Sequence, residues 1–260
     1  SHKLIAKDLP FLQMMEPAKQ HCYNITDVES KGNFPDIHGW WGYQVTDGQL
    51  VYWNCEARKF YDKYGNTLQV DPQLVSAMPE VPLEGILQAQ PLKLWVTDLP
   101  NSTTIYRDRY QAIQKIFPAG SIVEAIPITK YQGTEHLKDS LRDMPSNATV
   151  VLKNSMSHYH PGKTAFDIIT ISALEEQLAR VEKIITESGQ QQAICRLADK
   201  SEIKLPIPTS QVIAEHQVVR VSINKSTKQA TLLSTVDTAW DNYLRTVYPY
   251  EISVGKAAAK

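Results

Sequence analysis

Long apolar runs are missing from this chain. No stretch reaches the about 18 consecutive apolar residues that a membrane-spanning helix needs, so no such span is expected. An excess of charge of one sign is missing too. The 260 residues carry 27 Lys and Arg against 28 Asp and Glu. The balance holds along the chain, with 16 basic and 18 acidic residues in positions 1–172 and 11 and 10 after that. A strong sequence-independent DNA binder normally shows a clear basic excess, because phosphate contacts release counterions. Tight binding of that kind is not expected, although a local patch stays open. Cysteine is scarce. Cys22, Cys55 and Cys195 are far apart and show no metal-ligand spacing, which argues against a zinc site. The plain expectation is three buried thiols, with a Cys22–Cys55 pair as the alternative in an oxidising compartment. Ser1-His2 reads as the remnant of a cleaved tag.

What is present supports a folded core. The hydrophobic fraction of 42% suits one large or two modest domains. Residues 37–46 and 49–54 alternate aromatic and polar side chains around Asp47-Gly48, a pattern that predicts two strands joined by a tight turn. Further strands are expected at 82–87, 92–97, 122–128, 150–153 and 165–171. Helices are expected at 72–77, at 108–117 and at 134–142, the last with Thr134 as N-cap. After Ser172 the pattern changes to five short strands at 178–185, 191–197, 202–206, 218–223 and 229–233. That spacing suits a small Greek-key barrel.

Several short motifs occur in a telling order. They are Asp47-Gly48-Gln49-Leu50, Gly65-Asn66, Pro82-Leu83-Glu84-Gly85-Ile86-Leu87, Val96-Thr97-Asp98-Leu99-Pro100 with Arg109-Tyr110, and Tyr159-His160-Pro161-Gly162-Lys163. Together they resemble the minimal ATP-dependent DNA ligases, which consist of an adenylation domain and an OB domain. The resemblance covers nearly the whole chain. It implies an α+β nucleotidyltransferase (ATP-grasp-like ligase) core of antiparallel sheets with helices at 1–172. An all-β OB-fold barrel would follow at 173–250, then a flexible tail at 251–260.

The same resemblance exposes losses. The family attacks ATP with a lysine amine. Its position falls on His38, or on Asp36 in a shifted register, while Lys31 lies nearby but would require an insertion of several residues and lacks the following Asp-Gly. The family's two glutamates correspond to Ile86 and Ala148, its two late lysines to Thr170 and Ser172, and its adenine-stacking ring to Thr97. Nucleophile, charge-neutralising groups and stacking surface are all replaced. The expected protein is therefore a ligase-like pseudoenzyme that needs neither ATP nor Mg²⁺ and holds no metal.

Two alternatives stay open. One is a working nucleotidyltransferase with relocated residues, using His38 as nucleophile, since an imidazole can form a phosphoramidate. The other is a protein-interaction module on a ligase scaffold. Expected partners are duplex or nicked DNA, bound weakly, or another protein. Lys63, Lys153, His160 and Lys163 are the candidate nucleic-acid contacts, with His158 beside them. Trp40, Trp41, Tyr43, Tyr52 and Trp53 read mainly as core, with one strand face covered by the chain before it. Glu84 reads as a turn residue after Pro82, and His38 as an ordinary strand histidine. The resemblance also extends to export to the periplasm.

Overall fold

The computed structural model describes residues 12–29, 34–145, 147–224 and 227–236. The side chains of Thr26, Lys163, Thr164 and Ala165 lie outside that description, as do Lys31 and the whole of 237–260. The chain divides into two compact units that meet at Ser172 and Ala173.

The first unit is built on two sheets. One contains β2 (Cys22–Tyr23), β3 (Trp40–Val45), β10 (Thr129–Lys130), β11 (Thr149–Asn154) and β13 (Ile168–Ser172), in the order β10-β3-β11-β13-β2. The other contains β4 (Gln49–Asn54), β5 (Lys59–Asp62), β6 (Thr67–Leu68), β7 (Leu83–Gln88), β8 (Lys93–Asp98) and β9 (Val123–Ala125), in the order β6-β5-β4-β7-β8-β9. A separate parallel pair joins β1 (Met15–Pro17) to β12 (Gly162–Ala165). The sheets are mixed rather than purely antiparallel, because β2 pairs parallel with β13 and β9 pairs parallel with β8.

The Asp47-Gly48 turn does not make the expected hairpin. β3 pairs with β10 and β11, while β4 pairs with β5 and β7, so residues 46–48 carry the chain from one sheet to the other. Gly48 is required at this crossing. Its φ is +102°, and a Cβ there would sit 2.6 Å from the Leu87 carbonyl oxygen.

Strand alternation sorts the aromatic cluster. Trp41 and Tyr43 face the space between the sheets, where they meet Ile86, Tyr106, Tyr110 and Ile126. Trp40 points the other way, against a cluster that includes Tyr23, Ile25, Phe34 and Ile37 from the preceding chain. The outer face of the second sheet buries Trp53, Phe60, Leu83, Leu94 and Val96 against Leu74, Ile113 and Phe117.

Short helices cover these faces: α1 (Ile25–Glu29), α2 (Pro72–Ala77), α3 (Tyr106–Ile116) and α4 (Thr134–Arg142). Asp71 caps α2 by accepting the Gln73 amide at 2.8 Å. Helix α3 starts two residues earlier than the acidic Asp108 suggested, since the Ile105 carbonyl accepts from the amides of both Asp108 and Arg109. It buries Tyr106, Arg109, Tyr110 and Ile113, a spacing of three and four that defines one face. Thr134 is the first helical residue of α4 rather than its cap. The cap position is Gly133 at φ +150°, with no side-chain bond.

The second unit is a single antiparallel sheet ordered β16-β15-β14-β17-β18. Its strands are β14 (Leu174–Glu187), β15 (Gln190–Arg196), β16 (Glu202–Pro206), β17 (Val218–Asn224) and β18 (Ala230–Thr235). β14 is long enough to serve two ladders. Its first half pairs with β17 and its second with β15, with a bulge between Val181 and Lys183. Ala179, Val181, Cys195, Leu205, Val219, Val221 and Leu232 form its core. The outer strands β16 and β18 run close together, but no ladder joins them among the described residues.

Only Cys195 of the three cysteines is buried. Cys22 is exposed and Cys55 half-buried, and Cys55 makes no disulfide. Among the described residues no helix is long and apolar enough to cross a membrane.

Two glycines separate steric from conformational demand. Gly48→Ala forces a Cβ onto the Leu87 carbonyl, whereas Gly120 has φ +85° with open space around it. Denaturant unfolding of Gly120→Ala should show a loss of about 1 kcal/mol from backbone strain alone. Gly48→Ala should lose about 1–3 kcal/mol more from overpacking.

Candidate functional site

Strand β11 places a charge where its neighbours predict an apolar residue. Val150 and Leu152 pack into the cluster beneath α4. Val151 and Lys153 take the opposite face, toward the second sheet. The Lys153 side chain is 0% exposed. Its Nζ donates to Glu84 Oε2 at 2.8 Å and to Asp98 Oδ2 at 2.9 Å. One lysine of the first sheet thus bridges two carboxylates of the second.

Those carboxylates lie directly opposite each other on β7 and β8, beside a bulge. Like charges in that register repel, so the pair needs cations between and around it. Lys153 is one. Arg109 of α3 is the other, donating from Nε to Asp98 Oδ1 at 2.6 Å and from Nη2 to Oδ2 at 3.2 Å. Arg109 Nη1 also donates to the carbonyls of Thr104 and Ser157.

Glu84 is not in a turn. It is an interior strand residue, 1% exposed, because alternation along β7 sends Leu83 to the outer face and Glu84 to the face toward the first sheet. It accepts from Thr97 Oγ1 at 2.7 Å and from the Tyr159 hydroxyl at 2.9 Å. The Met15 amide donates to that same hydroxyl at 2.8 Å. Its lone pair is thereby engaged, and its proton is aimed at Glu84. Tyr43 and Tyr106 rings wall the cluster beside Lys153. Two acids and two bases give no net charge, which is the condition for burying ions at tolerable cost.

The protonation states follow. Burial opposes ionisation of Asp98, but Lys153 and Arg109 outweigh it and hold the carboxyl below its usual range. Burial likewise opposes the Lys153 ammonium, but Asp98 and Glu84 outweigh it and hold the amine protonated well above its usual range. The phenols of Tyr43, Tyr106 and Tyr159 are pushed up, chiefly by burial.

The residues singled out from sequence are not gathered here. His38 sits in an exposed turn before β3 rather than within a strand, with Nδ1 2.7 Å from the Gln132 carbonyl. Lys63 lies 3.8 Å from Glu16. His160 is 55% exposed and 4.0 Å from Asp167. Lys163 contributes its backbone to β12, and its side chain lies outside the described ones. Lys153 therefore shares no surface with His158 and His160, because it points into the interior. Asp36 accepts from the His38 amide, while Glu84 is held by Lys153, Thr97 and Tyr159. Among the described residues no group of three or more His, Cys, Asp or Glu is placed to hold a metal ion.

The positions that the resemblance matches to ligase charges and to the stacking ring have structural duties in this fold. Ile86 packs between the sheets with Trp41 and Tyr106. Ala148 is fully buried. Thr97 hydrogen-bonds Glu84, and Ser172 accepts from Thr149 at 2.9 Å.

A Lig E DNA ligase, described as binding DNA with a minimal scaffold, superposes with a TM-score of 0.51 and 12% identity. The match covers 85% of this chain and 99% of that one. The chain shares the fold of ATP-dependent DNA ligases. The ligase domain of Mycobacterium tuberculosis LigD aligns at TM-score 0.45 and 13% identity over 86% of this chain and 94% of that one. The ATP complex of the bacteriophage T7 ligase aligns at 0.41 and 8% over 86% and 98%. No protein-family model matches the chain, and no curated protein matches its sequence.

Two outcomes test the cluster. Lys153→Met leaves two buried carboxylates with one cation and should lower stability by about 3–5 kcal/mol in urea unfolding. The pH dependence has a definite sign. Asp98, lowered in the folded state, contributes above the unfolded carboxyl value of about 4 and loses that contribution as pH falls through its folded value. Lys153, raised in the folded state, contributes fully below the unfolded lysine value of about 10.4 and loses it only above that. For these two groups, stability should stay level between about pH 5 and 9 and fall on acidification. In Asp98→Asn the acid-side fall should be smaller.

Proposed function

We propose that this protein is a non-catalytic relative of the ATP-dependent DNA ligases that works as a binding or accessory protein. One observation carries the reading. The space between the two sheets of the first unit holds a closed, charge-balanced cluster, in which Lys153 is bonded to Glu84 and Asp98 rather than presented to a ligand. The amine needed for nucleotide attack is not available from a lysine that Asp98 and Glu84 hold in its protonated form. The residues at the family's nucleophile, carboxylate and lysine positions support the same reading, since His38 binds a carbonyl in an exposed turn and Ile86 and Ala148 serve as packing. On this reading neither ATP nor Mg²⁺ is a cofactor.

The second unit is proposed to be an OB-type barrel, a reading supported by its five-strand order and by the close approach of β16 and β18. Duplex or nicked DNA is the first partner proposed, held weakly because the chain has no basic excess. With Lys153 inside, the proposed contacts reduce to Lys63 and His160, with Lys163 close after His160 in sequence.

Incubation with ATP labelled at the α-phosphate and Mg²⁺, followed by denaturation, should leave no covalent label. A label that vanishes in His38→Ala would reverse the reading in favour of a histidine nucleophile. Nicked duplex should bind at low salt, and affinity should drop roughly tenfold when salt is raised about threefold, as two or three phosphate contacts imply. Absence of binding at both salt levels would remove DNA and leave a protein partner.

A further inference from the structure

The edge of the first sheet carries a lysine that the buried cluster does not use. Strands β10, β3 and β11 lie side by side, and their register sets Lys130, Trp41 and Lys153 in one row. Directly opposed residues of neighbouring strands share a sheet face, so all three lie on the side toward the second sheet. Lys153, at the inner end of the row, is closed off by Glu84 and Asp98. Lys130, at the outer end, is exposed. Its Nζ lies 4.6 Å from the centroid of the Trp41 ring, and it pairs with no carboxylate among the described residues.

A cavity of about 320 Å³ opens beside this ammonium. Trp41, Tyr110, Pro127 and Ile128 give it apolar walls. Tyr110 is fixed as a wall because its hydroxyl donates to the Ile126 carbonyl. Gln111 and Gln114, three residues apart and exposed on α3, add two carboxamides. No Asp or Glu lines the cavity, so the Lys130 charge is not offset there.

We propose that this cavity binds a small organic monocarboxylate with an apolar body. Its size sits at the lower end of the about 300–1,000 Å³ typical of ligand sites, which sets the scale of the molecule. The apolar walls take the body, and Lys130 takes the carboxylate with the carboxamide N–H groups as neutral donors. One ammonium matches one negative charge. A phosphate would draw further cations, an arginine fork or a backbone nest, and no arginine lines the cavity. The Trp41 ring holds the ammonium in place before the ligand arrives, which lowers the ordering cost of binding. The site shares no residue with the Lys153 cluster or with the proposed DNA contacts, so its test is independent of the non-catalytic reading.

The full-length protein, labelled with ¹⁵N, is titrated with phenylacetate at neutral pH while the Trp41 indole N–H signal is followed by NMR. That signal should shift saturably, with half-saturation in the millimolar range expected for a ligand of about ten non-hydrogen atoms. Phenylacetamide, which keeps the shape and loses the charge, should bind at least about tenfold more weakly. Lys130→Gln should lose affinity for phenylacetate by a similar factor while keeping its circular dichroism spectrum, and Lys130→Arg should retain most of it. Inorganic phosphate should neither move the signal nor displace phenylacetate. Absence of a saturable shift up to about 20 mM phenylacetate would overturn the proposal. Equal binding of phenylacetamide would also overturn it, by reducing the site to an apolar hollow, as would unchanged affinity in Lys130→Gln. Phosphate binding as tightly as phenylacetate would overturn the carboxylate assignment.

Discussion

Four charges buried out of solvent decide how the first unit is put together. Lys153, Glu84, Asp98 and Arg109 come from β11, β7, β8 and α3, and each is 1% exposed or less. An isolated ion in such a place would be neutralised or expelled, and these four are tolerated only because each satisfies the others. The bonds are also directional. Arg109 grips Asp98 with two nitrogens, and Tyr159 carries its proton to Glu84 because the Met15 amide holds its other side. Both sheets, the long helix and the Tyr159 loop are therefore fixed relative to one another by chemistry more selective than apolar contact.

Much of the fold was legible because the signals that fix strands are local. The five strands of the second unit were found from spacing and turn residues alone, although β14 begins earlier than expected, at Leu174. What failed was partner choice. Asp47-Gly48 signals a reversal, but it cannot reveal that β3 and β4 leave that reversal for different sheets. Lys153 was misjudged for a related reason, since a single lysine is normally solvated. The overlooked signal lay in its own strand. Val150, Val151 and Leu152 put apolar side chains on both faces, and a lysine continuing such a strand is enclosed and must find acids. Glu84 was misjudged because Pro82 suggested a turn, yet Leu83, Ile86 and Leu87 continue an apolar strand around it.

A shared fold and the side chains inside it carry different information. Superposition on the Lig E structure describes how the backbone runs. The side chains describe what that backbone now holds. Gly85 is kept next to Glu84 because a Cβ there would meet Leu94 and the Trp95 carbonyl, both at 2.9 Å. That requirement belongs to the scaffold and survives whatever the cleft does. Ile86, one residue on, sits in an aromatic cluster that has no room for a hydrated carboxylate. Gly85 thus answers to the backbone around it, and Ile86 to the packing between the sheets.

The earliest strands of the first unit depend on the latest ones. β1 pairs with β12, β2 pairs with β13, and the Met15 amide meets a tyrosine 144 positions away. On a ribosome adding about 5–20 residues per second, that segment stays without its strand partners for roughly 7–30 s. During that interval Met14 and Met15, both buried in the finished fold, have no strand to pack against, so the first unit can close only from its late end.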